Sequence, residues 1–201
     1  MLKSKFDLND FLGVNEYHYP SIEMGSRVDN PNYIPDWDEF WMGMAIVYSS
    51  RSKDIVTSHG AVITDKFNRP LGMGYNSWIA GLPDNLIPNT RPGKYRWVRH
   101  AERNAIDNCL VDLRNYEGTK LYITGRPCID CSNNLIAAGI RKWFMLDNGR
   151  WGKQSLIEDT HGDSKDWMWL TEVMGVDLTW VSFEQEGLNW AKSKLEGAER
   201  V

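Results

Sequence analysis

The chain predicts an α/β fold, a three-layer α/β/α sandwich around a mixed sheet of roughly five strands covered by helices on both faces. Three features point there. Two apolar runs, residues 61–64 and 71–75, flank the turn-forming stretch Lys66-Phe67-Asn68-Arg69-Pro70 and imply an antiparallel hairpin. Beyond His100, segments of strand and helix character alternate, which requires crossover connections and therefore parallel neighbours. No repeat, low-complexity tract or linker divides the chain, so a single domain over residues 1–201 is expected.

In chain order, residues 1–36 read as an extended N-terminal arm, with Pro20, Pro31 and Pro35 among scattered Asn, Asp and Gly. From Asp38, the acidic start of DEFWMGMAIVYSSRS suits a helix N-terminus, and Phe40, Met44 and Val47 form its expected apolar stripe. After the hairpin, AGLPDNLIPNTRPGKYRW is rich in Pro, Gly and Asn and reads as a long irregular loop, which in a compact domain is usually functional or mobile. His100 to Leu110 predicts a helix packing through Ala101, Ala105 and Ile106. KLYITGRP then predicts a buried strand, CIDCSNNLIAAG a helix stopped by Gly139, and KWFMLD the next strand. SKDWMWLTEVMG reads as a helix, VDLTWVSF as a strand, and residues 184–197 as a C-terminal helix.

An apolar content of 42% with ten tryptophans excludes the disordered class. The opening MLKSKFDLND has no apolar run to serve as a signal peptide, and no later stretch approaches the ~18 apolar residues of a membrane helix, so a soluble cytoplasmic protein is expected. Three cysteines, widely spaced apart from one CxxC, do not make a disulfide framework and fit a reducing compartment. The formal charge of -4 disfavours long nucleic acid as a partner and favours a small substrate.

The chemistry concentrates in two short stretches, His100-Ala101-Glu102 and Pro127-Cys128-Ile129-Asp130-Cys131. Cys128 and Cys131 stand three apart at a helix start, which puts both sulfurs on one face and favours their thiolate forms. Pro127 suits a position where a missing N–H costs nothing. Two thiolates and one imidazole fit Zn²⁺ with a fourth position left for water, the pattern of a catalytic metal. Cys109 is about 13 Å of helical rise from His100 and reads as a small buried apolar side chain. Glu102 can take a proton from water activated by the metal, although residues two apart in a regular helix point about 200° apart. The pairing works if His100 occupies the first, half-helical position and Glu102 reaches back over the turn. H-x-E followed by P-C-x-x-C is the signature of zinc-dependent nucleobase deaminases.

Between residues 38 and 183 the chain resembles the deoxycytidylate (dCMP) deaminases of phage and eukaryotic type within the cytidine deaminase superfamily. The resemblance rests on RSKD (51–54), GYN (74–76), HAERNAI (100–106), PCIDC (127–131), AAGI (137–140) and FMLD (144–147), in that order. The zinc motif marks the superfamily, while RSKD, GYN and the long loop after GYN resemble the dCMP branch. The resemblance implies a cytidine deaminase-like fold, one Zn²⁺ per chain on His100, Cys128 and Cys131, and zinc-activated water attacking C4 of dCMP. Glu102 then shuttles protons and dUMP is released, a supply for thymidylate synthesis. Asn76 is implied to hold the deoxyribose hydroxyl, and the Ala101 backbone to address the base. Also implied are a hexamer, activation by dCTP with Mg²⁺ and inhibition by dTTP, with Arg51, Lys53 and Ser77 near the effector. Ser77 departs from the usual GYNG, which bears on regulation rather than chemistry.

Arg91, Lys94, Arg96 and Arg99 precede His100 closely enough to meet a 5′-phosphate, and Arg51 and Lys53 suit an effector phosphate or a helix C-terminus. Trp97 and Trp151 are candidates to wall the base. Trp37, Trp41, Trp143, Trp167, Trp169, Trp180 and Trp190 read as core or subunit-interface residues. His18, His59 and His161 have no partner in sequence for a second zinc site. Three other readings remain: a deaminase of another substrate (another cytosine nucleotide, free cytidine, a tRNA adenosine or cytosine in single-stranded DNA), a silent nucleotide-sensing module, and a thioredoxin-like dithiol protein.

Overall fold

The computed structural model describes residues 21–24, 35–147, 152–159 and 162–183. Trp151, His18, His161, Trp190, the expected C-terminal helix and most of the expected arm lie outside the described residues. The elements are β1 (Ser21–Met24), α1 (Trp37–Ser49), β2 (Gly60–Thr64), β3 (Pro70–Tyr75), α2 (Ala101–Asp107), β4 (Lys120–Ile123), α3 (Ile129–Ala137), β5 (Lys142–Leu146), α4 (Gln154–Ile157), α5 (Ser164–Val173) and β6 (Asp177–Phe183). Two short 3₁₀ turns, Asp84–Leu86 and Gly93–Arg96, punctuate the long loop.

The strands form one mixed sheet in the order β1-β6-β5-β4-β2-β3. β2 pairs antiparallel with β3 and β4, while β4–β5, β5–β6 and β1–β6 are parallel. The five strands expected from the sequence are present. The sixth is a correction: Ser21–Met24, inside the expected arm, pairs with Trp180–Phe183 and extends the sheet beyond β6.

β5 shows how the layers divide. Trp143 and Met145 face one side, packing with Ala101, Ala105, Leu135 and Trp167 of α2, α3 and α5. Phe144 and Leu146 face the other, packing with Trp41, Met42, Ala45 and Ile46 of α1. Alternating faces that are both covered explain why KWFML is a continuous apolar run.

α1 begins with a capping box: the Asp36 carboxylate accepts the Glu39 amide at 2.9 Å, and Glu39 accepts the Asp36 amide at 2.9 Å. Its buried stripe is Met42, Ala45, Ile46 and Ser49, with Trp41 beside it. The expected stripe of Phe40, Met44 and Val47 is therefore rotated from the true one, and Phe40 is exposed. Phe40 instead packs its ring against Trp37 and Trp41 on the outside of the helix. Trp37 and Trp169 are likewise exposed, whereas Trp41, Trp143, Trp167 and Trp180 are buried.

Glycine lets α2 lie directly on β3. A Cβ at Gly74 would run into the Ala101 carbonyl and the Ala105 amide. Two side-chain amides fix the register: Asn104 Nδ2 donates to the Tyr75 carbonyl and Asn108 Nδ2 to the Met73 carbonyl, each at 2.8 Å. Four residues of helix rise ~6.0 Å and two of strand ~6.8 Å, so the repeats nearly match. No helix among the described residues is long and apolar enough to cross a membrane.

Candidate metal centre

His100 is the N-cap of α2, with extended backbone angles φ -72 and ψ 156. Cys128 is the N-cap of α3, with φ -69 and ψ 168, and Cys131 lies in that helix's first turn. Neither side chain serves as an ordinary N-cap. Both turn instead towards a common point: His100 Nδ1 lies 3.5 Å from Cys128 Sγ and 3.4 Å from Cys131 Sγ. The three donor atoms all fall within 4.8 Å of one another. A tetrahedral centre with Zn–N of ~2.0 Å and Zn–S of ~2.3 Å separates such donors by about 3.5 Å, so the set fits zinc. Because His100 is still extended, the 200° objection from a regular helix lapses. Glu102 lies buried beside the trio without belonging to the donor set.

The electrostatics follow from this crowding. Hydrogen bonding to Cys128 raises His100 to about 9, against burial. A hydrogen bond from Cys131, with further help from His100, lowers Cys128 to about 4, against burial. Cys131 is pushed up by the Cys128 hydrogen bond first and by burial second. The trio thus shares protons that a cation displaces on binding. Burial pushes Glu102 up to about 7, with the His100 charge opposing it. Cys109 is half-buried at the margin of the core, and burial raises its thiol to about 11.

The donors open on a cavity of ≈ 800 Å³, within the range of small-molecule sites. His100, Ala101, Glu102 and Cys128 line it together with Asp54, Asn76, Arg91 and Lys94. Asn76 is buried and held: its Oδ1 accepts the His59 amide at 2.7 Å, and its Nδ2 donates to the Thr57 carbonyl at 2.7 Å. The RSKD and GYN stretches meet here, with Ser52 Oγ donating to the Asn76 carbonyl at 2.9 Å.

Several sequence-predicted residues lie off the cavity lining. Trp97 is 44% exposed. Arg99 pairs its side chain with Asp107 and its backbone with Ser77. Arg51 is exposed just beyond α1, and Lys53 Nζ sits 2.6 Å from Asp84 Oδ1, which also accepts the Trp78 indole N–H at 2.8 Å. Ser77, next to Trp78 in the chain, is buried. Of the four basic residues before His100, Arg91 and Lys94 reach the cavity, and Lys94 is consumed by a buried pair with Asp54.

Sequence reasoning missed His59, Arg126 and Asp163, all of which line the cavity. Arg126 had a usable signal, standing two residues before Cys128. His59 had a weak one, directly before the first strand of the hairpin, while Asp163 had none.

The family model described as "Cytidine and deoxycytidylate deaminase zinc-binding region" matches residues 35–147. The mouse (Mus musculus) protein named "Deoxycytidylate deaminase" is 35% identical over 119 residues, 56% of this chain; the chain spans 66% of that relative's length. The protein of the same name from Mycobacterium phage D29 is 36% identical over 121 residues, covering 54% of this chain and 92% of the phage protein. Among solved structures, the apo dCMP deaminase of cyanophage S-TIM5 superposes with a TM-score of 0.54 at 23% identity, covering 74% of this chain and 99% of that one, a likeness of fold.

Proposed function

The chain belongs to the family of the cytidine and deoxycytidylate deaminase zinc-binding region, and on that premise we propose that it deaminates dCMP hydrolytically to dUMP with release of ammonia. The observation that carries the reading is the buried Glu102 carboxyl beside a three-donor centre that does not use it, with Glu102, His100 and Cys128 lining one nucleotide-sized cavity. The dCMP deaminases of mouse and phage D29, each more than a third identical over the shared region, support cytosine in a deoxynucleotide as the substrate.

His100, Cys128 and Cys131 would hold the zinc. The chemistry it supplies when bound is Lewis acidity, which lowers the pKa of water to about 7. Glu102 takes the proton released as water adds to C4 and delivers it to N3. It then takes the proton of the new C4 hydroxyl and passes it to the departing amine, so that C4–O forms, C4–N breaks and ammonia leaves. The buried backbone of Ala101 addresses the base. Asn76, its amide already held by the chain, offers its remaining carbonyl lone pair to the deoxyribose hydroxyl. Arg91, which pairs with no carboxylate among the described salt bridges and lies 5.9 Å from the Tyr95 ring centroid, takes the 5′-phosphate. Arg51, Lys53 and Ser77 serve a triphosphate effector, dCTP with Mg²⁺ as activator or dTTP as inhibitor, in a cytoplasmic hexamer.

The test is ultraviolet turnover of dCMP by wild type and Glu102→Ala, with zinc content measured in both and with dCTP present or absent. Zinc near one per chain in both proteins, with turnover in the wild type alone, is the expected result. A zinc-loaded wild type that leaves dCMP untouched with dCTP present overturns the substrate.

A further inference from the structure

The residue at the N-cap of one helix in this structure caps another helix instead. Cys128 holds the N-cap position of α3 but turns its sulfur to His100, and the amide of Ile129, the first residue of the helix, finds its acceptor elsewhere in the chain. Asp163 holds the N-cap position of α5 and makes no side-chain cap there either. Instead the Asp163 Oδ2 accepts the Ile129 amide at 2.9 Å, at the first residue of α3, 34 positions earlier in the chain. The first amide of α5, on Ser164, is served by Asp159 Oδ1 at 2.8 Å.

The other Asp163 oxygen is engaged too. Arg126 Nη2 donates to Oδ1 at 2.7 Å, and the Arg126 side chain is 0% exposed. Its guanidinium carbon lies 5.3 Å from the Trp167 ring centroid on α5, and its Nε sits 3.4 Å from Ser155 Oγ. One carboxylate thus straddles Cys128, gripping the side chain two residues before it and the backbone one residue after it. Both Arg126 and Asp163 also line the cavity.

We propose that Asp163, with Arg126 as its counter-charge, is a positioning residue for zinc binding: it fixes the start of α3 so that Cys128 and Cys131 face His100 before the metal arrives. The proposal rests on the reading of those three residues as zinc ligands. It assigns to the segment between β5 and β6 a part in the metal site that no ligand motif contains. A carboxylate bonded to the ligand-bearing backbone acts as outer-shell partners do, and losing such a partner costs about 10- to 100-fold in metal affinity.

The test is zinc affinity, measured by competition with a chromophoric chelator on the full chain, well below the unfolding temperature. Single removal of either partner strands a buried charge, so the informative variant is the double substitution Arg126→Met with Asp163→Leu, which removes both charges together. Its affinity is expected to fall about 10- to 100-fold with helix content unchanged by circular dichroism. Asp163→Asn weakens the Arg126 pair but keeps an acceptor oxygen for the Ile129 amide and the Arg126 guanidinium, so it is the milder single change; its zinc affinity is expected to fall about tenfold, and it carries the same test if the double variant does not fold. A purely structural role lowers the unfolding temperature and leaves the zinc affinity of the folded protein alone. Folded variants that bind zinc within about twofold of wild type overturn the proposal while the ligand reading stands. A wild type that binds no zinc overturns both.

Discussion

Lys94 and Asp54, 40 residues apart in the chain, meet as a buried ion pair, with Nζ 2.6 Å from Oδ1 and 2.5 Å from Oδ2 and both side chains 3% exposed. Asp54 also accepts the amides of Val56 and Thr57 and receives Asn76 Nδ2 at 3.4 Å. The long loop is thereby fastened to the two stretches that bound the cavity. Lys94→Met strands the Asp54 charge and is expected to cost about 3–5 kcal/mol in urea unfolding.

Arg91→Gln is expected to act on substrate binding alone. A hydrogen bond to a charged group is worth about 1.5–3 kcal/mol, so KM for dCMP should rise about 10- to 150-fold. Turnover of deoxycytidine, which has no phosphate, should not change, and steady-state kinetics on the two substrates checks this.

Gly74→Ala places a methyl against the Ala101 carbonyl and the Ala105 amide. α2 must move, carrying His100 and Glu102 with it. The expected cost is about 1–3 kcal/mol of stability, and a displacement of the order of 1 Å reduces turnover about 100-fold. Thermal melting and turnover, measured on the same preparation, should fall together.

Chelation of the metal should abolish turnover and lower the unfolding temperature, since the donor trio ties α2 to α3 across the cavity floor. A ligand at a thousand times its Kd contributes about 4 kcal/mol. Calorimetry before chelation, after it, and after zinc is restored checks both the size and the reversibility.

Asp65, in the hairpin turn, has its carboxyl pushed up by burial but drawn lower overall by the Arg69 and Phe67 amides and the Arg69 guanidinium. A folded pKa below the unfolded value of ~3.9 contributes stability that is full above that value and is lost as pH falls through the folded one. The stability gap between wild type and Asp65→Asn should therefore close in acid, as pH-dependent urea midpoints would show.

The ligands and Glu102 were legible because each motif is local: a few adjacent residues at a helix start set both identity and direction. Asp163 was not, because what it does depends on a fold-level meeting of segments 34 residues apart. The Asp54–Lys94 pair failed to register for the same reason, and Lys94 looked like a phosphate contact because charge in a loop does not reveal its partner. The α1 stripe was misphased because that helix carries apolar side chains nearly all round. Its true face includes small Ala45 and polar Ser49, whose hydroxyl bonds the Ile46 carbonyl at 2.7 Å. The sixth strand was hidden in an arm whose prolines argued against regular structure.

His100 and Cys128 both sit where the chain first enters a helix, with Glu102 and Cys131 in the first turns, so the metal site takes its bearings from the helix starts and not from their later turns. Whatever lies beyond the first turn of α2 or α3, past Glu102 and Cys131, is a strut behind the chemistry. Insertions or deletions in the turns that leave these helices, at Cys109–Asp112 or Gly139–Arg141, can drift over generations without transmitting a change to the donor atoms, whereas one residue gained or lost just before His100 or Cys128 re-aims a ligand. Variation among descendants of this chain should be lopsided, loose behind the two helices and rigid in front of them.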